Sequence, residues 1–403
     1  MRANALIMFE KIDVRNLTGR VCFGSSSPEP ASLSNMEVTG ANVQMLKNLH
    51  ASESDNSSSF PQTSSSSRSC ETGSRSEFVF PKCTSHWNSN VVDKLGVRFQ
   101  DEDIFAIIIS KWCLFHLSAN DYRQIERCLG ACDLKLDYET LDTISSRIVT
   151  PIKKWVTWKP DEEQLKIIRT EPLLQNFEVK LEEFNYCLGL IIASKKSDST
   201  VSPWKYQTLF KKLLHLFNIF TWSQPFLETQ KAVIMGKTVH STADLLCCRS
   251  DPGIDKPVVC VCEIKKTYSE EEDGVSRPRK RLRCFSSEDS TSDIPQTERN
   301  LLSPHIGDLF VHLNQSVRNE GVLGVTVEKT LVQMTFLQVE KSSMEKIQFG
   351  NSAGNVKLKE MNRPILYFSK HYNFLKQDDR KILFKAFLLI KLMQNRYEKG
   401  SDT

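Results

Sequence analysis

The segment Val258-Val259-Cys260-Val261-Cys262-Glu263-Ile264-Lys265 constrains the chain more than any other. An unbroken apolar run rich in valine reads as a buried strand. This one ends on a carboxylate and an ammonium. Side chains alternate along a strand, so Glu263 and Lys265 share one face, and Cys260 and Cys262 face the other way. A charge at the end of a buried strand is costly unless it is paired or used. Asp244 stands nineteen residues ahead of Glu263, in the apolar run Ala243–Cys248. If the two runs pair as a hairpin, Asp244 comes near Glu263. Two convergent carboxylates make a hard oxygen site for Mg²⁺ or Mn²⁺. Lys265 beside them could orient or help deprotonate a water, or steady charge on a phosphate. The bland alternative is a surface salt bridge on a hairpin, with Lys265 paired to Glu263 or to solvent.

Around that strand the pattern is mixed. Trp204–Phe220 has helical apolar spacing. Strand-like runs follow at Lys231–Met235 and Ala243–Cys248. After Val258–Ile264 comes a polar insert at 267–299. Pro304–Val317 reads as a helix starting at its proline, and Val322–Val327 and Leu331–Val339 as two strands joined by a turn. Further strands are expected at Val356–Glu360 and Ile365–Phe368, then a last helix at about Asp378–Tyr397. Residues 200–397 therefore read as one α/β domain.

The first half reads differently. Twelve of the twenty-six residues from Ala51 to Ser76 are serine, too little apolar area to offset the entropy of ordering. Residues 1–90 are expected to be a mostly disordered tail. Between 91 and 195 the apolar spacing is helical. Asp103 is placed to cap a helix over Ile104–Phe115, and further helices are expected at Asn120–Ala131, Tyr138–Lys154, Asp161–Ile168 and Pro172–Ala193. A helical domain is expected there, with 195–203 as a linker.

Asp244, Glu263 and Lys265 fall on the pattern of the PD-(D/E)XK nuclease superfamily, which this sequence resembles over about residues 200–395. The resemblance continues in Ser303-Pro304-His305-Ile306-Gly307-Asp308-Leu309, at the place of a helix that in many members begins Pro-Gln and carries an acid three residues on. It continues again in Gly324-Val325-Thr326, the turn Glu328-Lys329 and the aromatic-containing strand up to Phe336. The sequence departs from the pattern at Ala243, where many members have proline, and at His305, where many have glutamine. Trp204–Phe220 carries no acid, although the first helix of many members supplies one. The resemblance implies a restriction-endonuclease-like fold and metal-dependent cleavage of DNA or RNA. In it Asp244 and Glu263 hold Mg²⁺ or Mn²⁺ and Lys265 assists the water. It also leaves room for a catalytically inactive descendant that serves as a nuclear nucleic-acid or protein binding module.

The remaining features are less specific. Arg277, Arg279, Lys280, Arg281 and Arg283 form a dense basic run in the polar insert, close behind an acidic block. Such runs act in nuclear import or touch phosphates, so the nucleus is the expected location and nucleic acid the expected partner. Their bland reading is a solvated loop whose charge blocks cancel. Protein partners would have the helical domain or the tail to bind. The net charge of +4 is too small by itself to imply nucleic-acid binding. Twelve cysteines in a long chain whose N-terminus meets Glu10 too early for a signal peptide read as reduced thiols, not as a disulfide framework. Cys247, Cys248, Cys260 and Cys262 with His240 could be imagined around zinc, but their spacing suits strand packing better. No apolar run is long enough to span a membrane.

Overall fold

In a computed structural model of the chain, the described residues are 79–113, 117–141, 158–196, 201–248, 257–265, 294–318, 320–350 and 356–399. The serine-rich stretch, residues 142–154 of the expected Tyr138–Lys154 helix and the basic run at 277–283 lie outside them.

An eight-stranded mixed sheet is the centre of the fold. Its strands are β1 (Arg98–Asp101), β2 (Thr221–Ser223), β5 (Leu245–Cys248), β6 (Val258–Ile264), β7 (Gly321–Glu328), β8 (Leu331–Gln338), β9 (Ile365–Phe368) and β10 (Tyr372–Asn373). They run in the order β1-β9-β8-β7-β6-β5-β2, with β10 on the far end of β8. Strands β6 and β7 are parallel, as are β1 and β9, and the other neighbours are antiparallel. A separate hairpin joins β3 (Gln230–Ile234) to β4 (Lys237–Ser241), turning at Met235 and Gly236, both at positive φ.

Helices cover both faces of the sheet, which is why β6 is apolar on both sides. One face carries α2 (Ala119–Ala131), α3 (Glu162–Thr170), α4 (Phe177–Lys196), α5 (Pro203–His215) and α8 (Gln377–Lys399). Cys247, Cys260, Cys262, Val325 and Phe336 meet Phe210, Phe217, Leu383 and Phe387 there. The other face carries α1 (Ser89–Lys94), α6 (Gln296–His312), α7 (Lys341–Gln348) and the β3–β4 hairpin. Leu246, Val261, Val322 and Leu366 pack there against Ile306, Leu309, Phe310, Trp87 and Val91. No described helix is long and apolar enough to cross a membrane.

Local chemistry accounts for most boundaries. Asp103 does cap its segment, accepting from Phe105 N at 2.8 Å and Ala106 N at 3.3 Å. The coil that follows at Ala106–Trp112 is a π-helix, however, closed by a bond from Cys113 N to Ile108 O of 2.8 Å. Asp161 and Gln164 form a reciprocal capping box on α3.

Several expectations need correction. Order does not wait for residue 90: Phe80 and Trp87 are core residues, stacked edge to face at 5.6 Å. The polar insert ends before 299, because α6 begins at Gln296 and contains Pro304 in its interior. Its first turns are anchored to α1 by Ser89 N on Asn300 Oδ1 (2.9 Å) and by Arg299 with Asp93 (3.2 Å). Those anchors outweigh the one backbone bond a proline cannot make. Val356–Glu360 is not a strand. Val356 N bonds to Lys94 O, away from the sheet, and residues Glu360–Asn362 make a 3-10 turn. The helices between 91 and 195 share their core with the sheet and α8, and β1 from the same region is the sheet's edge strand.

Candidate active site

The site lies at one edge of the sheet, where β6, β7, β9 and β1 end and β5 begins. Open α/β sheets place ligands at the carboxyl ends of strands. Pairing of Leu245 with Cys262 sets Asp244, one residue earlier, against Glu263, one residue later. The Asp244 carboxylate is fixed by the backbone across from it: Ile264 N donates to Oδ2 at 2.7 Å. From α5, the Gln207 amide donates to the Asp244 carbonyl at 2.7 Å. Lys265 follows the strand, its N–H bonded to Val327 O at 2.8 Å. The spacing that singled out Asp244, Glu263 and Lys265 thus brings them to one cleft of about 750 Å³.

Two residues of α6, one turn apart, complete the group. Asp308 lines the same cleft. Its Oδ1 accepts from Thr84 Oγ1 at 2.6 Å and from Ser241 Oγ at 2.8 Å. His305 is fully buried, with Nε2 2.9 Å from Thr335 Oγ1 and Nδ1 3.7 Å from Glu263 Oε2. Gly324 on β7 makes room for this ring. A Cβ at Gly324 would stand 2.4 Å from both His305 Nε2 and Thr335 Oγ1.

Burial dominates the electrostatics. It pushes the Glu263 carboxyl well above the ordinary carboxylate range; Asp308 and Asp244 push the same way and Lys265 opposes them. Asp308 is raised to about 6, again chiefly by burial, although its two hydroxyl donors favour the charged form. Burial pulls the Lys265 ammonium down, against the pull of Glu263, Glu328 and Glu298. His305 falls to about 3 through burial and the charge of Lys265, so its ring is neutral.

Three carboxylates and one ammonium lining a single cleft leave it short of positive charge. Glu263 Oε2 is buried without a hydrogen-bond donor, an arrangement that costs energy as it stands. A hard divalent cation is the species such an oxygen set accepts. Asp244, Glu263 and Asp308 match Mg²⁺ or Mn²⁺ in donor type, but their oxygens do not all lie within 4.8 Å of one another, so they would have to draw together to share one ion.

The sequence pointed to three of these residues and left others without a role. Asp308 stood in view within Ser303–Leu309. Thr84 gave no signal, because it reaches Asp308 from 224 positions away, outside the region of resemblance. Ser241 lies on β4, a strand that the sequence pattern did not show.

The thiol cluster sits apart from this cleft. The sulfur atoms of Cys247, Cys260 and Cys262 all lie within 4.8 Å of one another, inside the apolar core on the opposite face. Burial pushes the Cys260 thiol well up. Among the described cysteines, Cys83, Cys128, Cys132, Cys187, Cys247, Cys260 and Cys262 are free thiols.

The fold and site thus define an α/β protein with a mixed sheet and an acid-lined cleft at the sheet's carboxyl edge. No family model matches the chain, and none of the curated proteins compared with it does.

Proposed function

We propose that the chain is a metal-dependent nuclease of the PD-(D/E)XK type, acting on DNA or RNA. The observation that carries this reading is the unpartnered, buried Oε2 of Glu263, set among Asp244, Asp308 and Lys265 at the wall of a cleft. Asp244 and Glu263 hold the cation, and Asp308 adds a third carboxylate, in a chain whose α5 carries no acid. Bound there, Mg²⁺ or Mn²⁺ would polarise a phosphodiester and lower the pKa of a water. Lys265, with its ammonium pulled down by burial, orients that water or takes up charge on the scissile phosphate. The backbone bond from Ile264 N to Asp244 Oδ2 keeps the first carboxylate fixed while this happens.

The test is cleavage of labelled single- and double-stranded DNA and RNA by the purified chain with Mg²⁺ or Mn²⁺. Asp244→Ala and Lys265→Ala should each lower the rate by at least about 100-fold while circular dichroism stays unchanged. Equal cleavage by the parent and both variants would overturn the reading. A second reading, an inactive module that binds nucleic acid or protein in the nucleus, is favoured by the missing helix acid and by His305. Tight nucleic-acid binding with no cleavage under any divalent cation would select it. Nuclear import is proposed to rest on Arg277, Arg279, Lys280, Arg281 and Arg283. Replacing them with alanine should shift a fluorescent fusion out of the nucleus.

A further inference from the structure

The cleft has an aromatic lip. Ser223, at the end of β2, pairs with Leu245, the residue after Asp244. The loop that leaves β2 there comes back at Thr229, which lines the cleft together with Thr242, their hydroxyl oxygens 3.0 Å apart. Phe226 stands on this loop and is 72% exposed. Its ring meets Trp222 edge to face at 6.4 Å, and Trp222 meets Phe220 in the same way at 5.8 Å. Trp222 packs on the α6 side of the sheet, the side from which His305 and Asp308 enter the site.

A lone apolar residue on a surface needs no explanation. Phe226 differs in being held in place. Its N–H donates to Ser223 O at 3.0 Å, the Gln224 side-chain amide donates to Leu227 O at 3.0 Å, and Leu227 packs against the core. A cation is fixed at the same strand end, where Lys211 Nζ donates to Ser223 Oγ at 2.8 Å. An exposed ring beside a cation is the combination that binds single-stranded nucleic acid: the ring takes a base and the cation takes the backbone.

The depth of the acids selects the same partner. Glu263 Oε2 and the Asp308 side chain are buried, so a phosphate has to enter the cleft to reach them. The cleft volume of about 750 Å³ is that of a cube about 9 Å on a side, narrower than the ~12 Å major groove of B-DNA alone. A duplex does not fit into that space. A single strand does, and its bases, no longer stacked on one another, gain from a ring at the entrance.

We propose that Phe226, backed by Trp222, is a stacking platform for an unpaired base next to the scissile phosphate, so that the substrate is single-stranded nucleic acid and not a duplex. This rests on the nuclease reading of the cleft and names the form of substrate it takes.

The experiment is fluorescence anisotropy of labelled oligonucleotides with the full chain in Ca²⁺, alongside the cleavage assay in Mg²⁺ or Mn²⁺. The parent should bind a single strand at least about tenfold more tightly than a hairpin duplex of the same length. Phe226→Ala should weaken single-strand binding about tenfold and leave duplex binding unchanged; Phe226→Trp should keep it, and Phe226→Leu, apolar but without a ring, should not. An abasic nucleotide moved along the oligonucleotide should cost the parent about tenfold at one position and cost Phe226→Ala nothing further there. Tyr186→Ala, which removes a ring 68% exposed on α4 across the sheet, should change nothing. A duplex bound as tightly as a single strand, or an abasic penalty equal in the parent and Phe226→Ala, would overturn this inference, and cleavage that depends on Asp244 would leave the nuclease reading standing. Base-dependent binding through Phe226 without cleavage under any divalent cation would sink the nuclease reading and keep the platform. A parent that binds no nucleic acid would overturn both. The abasic series on the parent decides the matter without any variant: if no position costs more than about twofold, no base is stacked.

Discussion

A single hydrogen atom on Gly324 decides how the middle of the site is packed. Its φ is not in the left-handed region, so the glycine is required by space and not by backbone conformation. The atoms a methyl group would strike, His305 Nε2 and Thr335 Oγ1, belong to fully buried side chains on α6 and β8 that have no room to retreat. Gly324→Ala should therefore destabilise the fold by about 1–3 kcal/mol, the usual cost of overpacking. It should also displace His305 from Glu263. Urea unfolding measures the first effect, and an unchanged midpoint would refute the packing argument. Arg380 offers a second test at this scale. Its guanidinium is buried and donates to the carbonyls of Phe374, Leu375 and Leu134, at 3.2, 3.1 and 2.6 Å. Burial lowers it to about 10, while Asp133 and Asp137 act in the opposite direction. Arg380→Met should cost about 3 kcal/mol, because three carbonyls lose their donor inside the core. Arg380→Lys should recover little of that, since an ammonium lacks the planar fork that reaches all three. Full rescue by lysine would show that charge alone matters.

At the scale of elements, the strap from Phe80 through α1 ties the N-terminal side of the fold to the site. Trp87 stacks on Phe80 and lies 6.3 Å from Phe310 of α6, while Thr84 donates to Asp308. A Cβ on Gly307 would come within 2.9 Å of both Thr84 and Trp87, so helix and strap are in close contact. Trp87→Ala should cost about 3–5 kcal/mol and loosen the wall of the cleft. Thermal unfolding would report this, and a loss below about 1 kcal/mol would mean that the strap is peripheral. The same strap marks the limit of what the sequence can reveal. Strand β6, the β7–β8 hairpin and α8 were legible because each buries a long apolar run with its own periodicity. Asp244, Glu263 and Lys265 were legible because they sit at the ends of such runs. Strand β1 was not, since Arg98-Phe99-Gln100-Asp101 has two charges in four residues and is a strand only because β9 pairs with it. Strand β4 was hidden for a similar reason: Lys237-Thr238-Val239-His240-Ser241 buries only Val239 and Ser241 and depends on β3. The start of α6 was misplaced because Pro304 is a strong local signal, and contacts with α1 override it. What escaped the sequence is what distant partners decide, including the hydroxyls that hold Asp308.

At the scale of the whole molecule, the sheet separates two cores, and each contains a histidine held neutral away from the candidate site. His215, at the end of α5, is lowered to about 4 by burial, then by Lys212, Lys211 and Lys180, with Glu183 opposing. His312, at the end of α6, is lowered to about 4 by burial, with its bond to Gln315 opposing. Both values lie below the ordinary histidine value of 6.5. The unfolded chain therefore binds protons before the folded one as pH falls. Stability conferred by the neutral rings is fully present above about pH 6.5 and is lost progressively down to about pH 4. Between pH 7 and pH 5 the loss should be about 2 kcal/mol per histidine, by the 1.36 kcal/mol that each pH unit of unequal protonation is worth. Asp308 and Glu263 oppose this trend: their raised values mean that acid relieves a repulsion already present in the fold. The total slope of the parent therefore mixes both signs, and the informative quantity is a difference. The double variant His215→Gln, His312→Gln should lose about 4 kcal/mol less than the parent between pH 7 and pH 5, measured by urea unfolding at each pH. The carboxylate contribution is common to both proteins and cancels. An identical pH dependence in parent and variant would mean that the two rings are not held neutral by burial, and that acid acts on this fold through other groups.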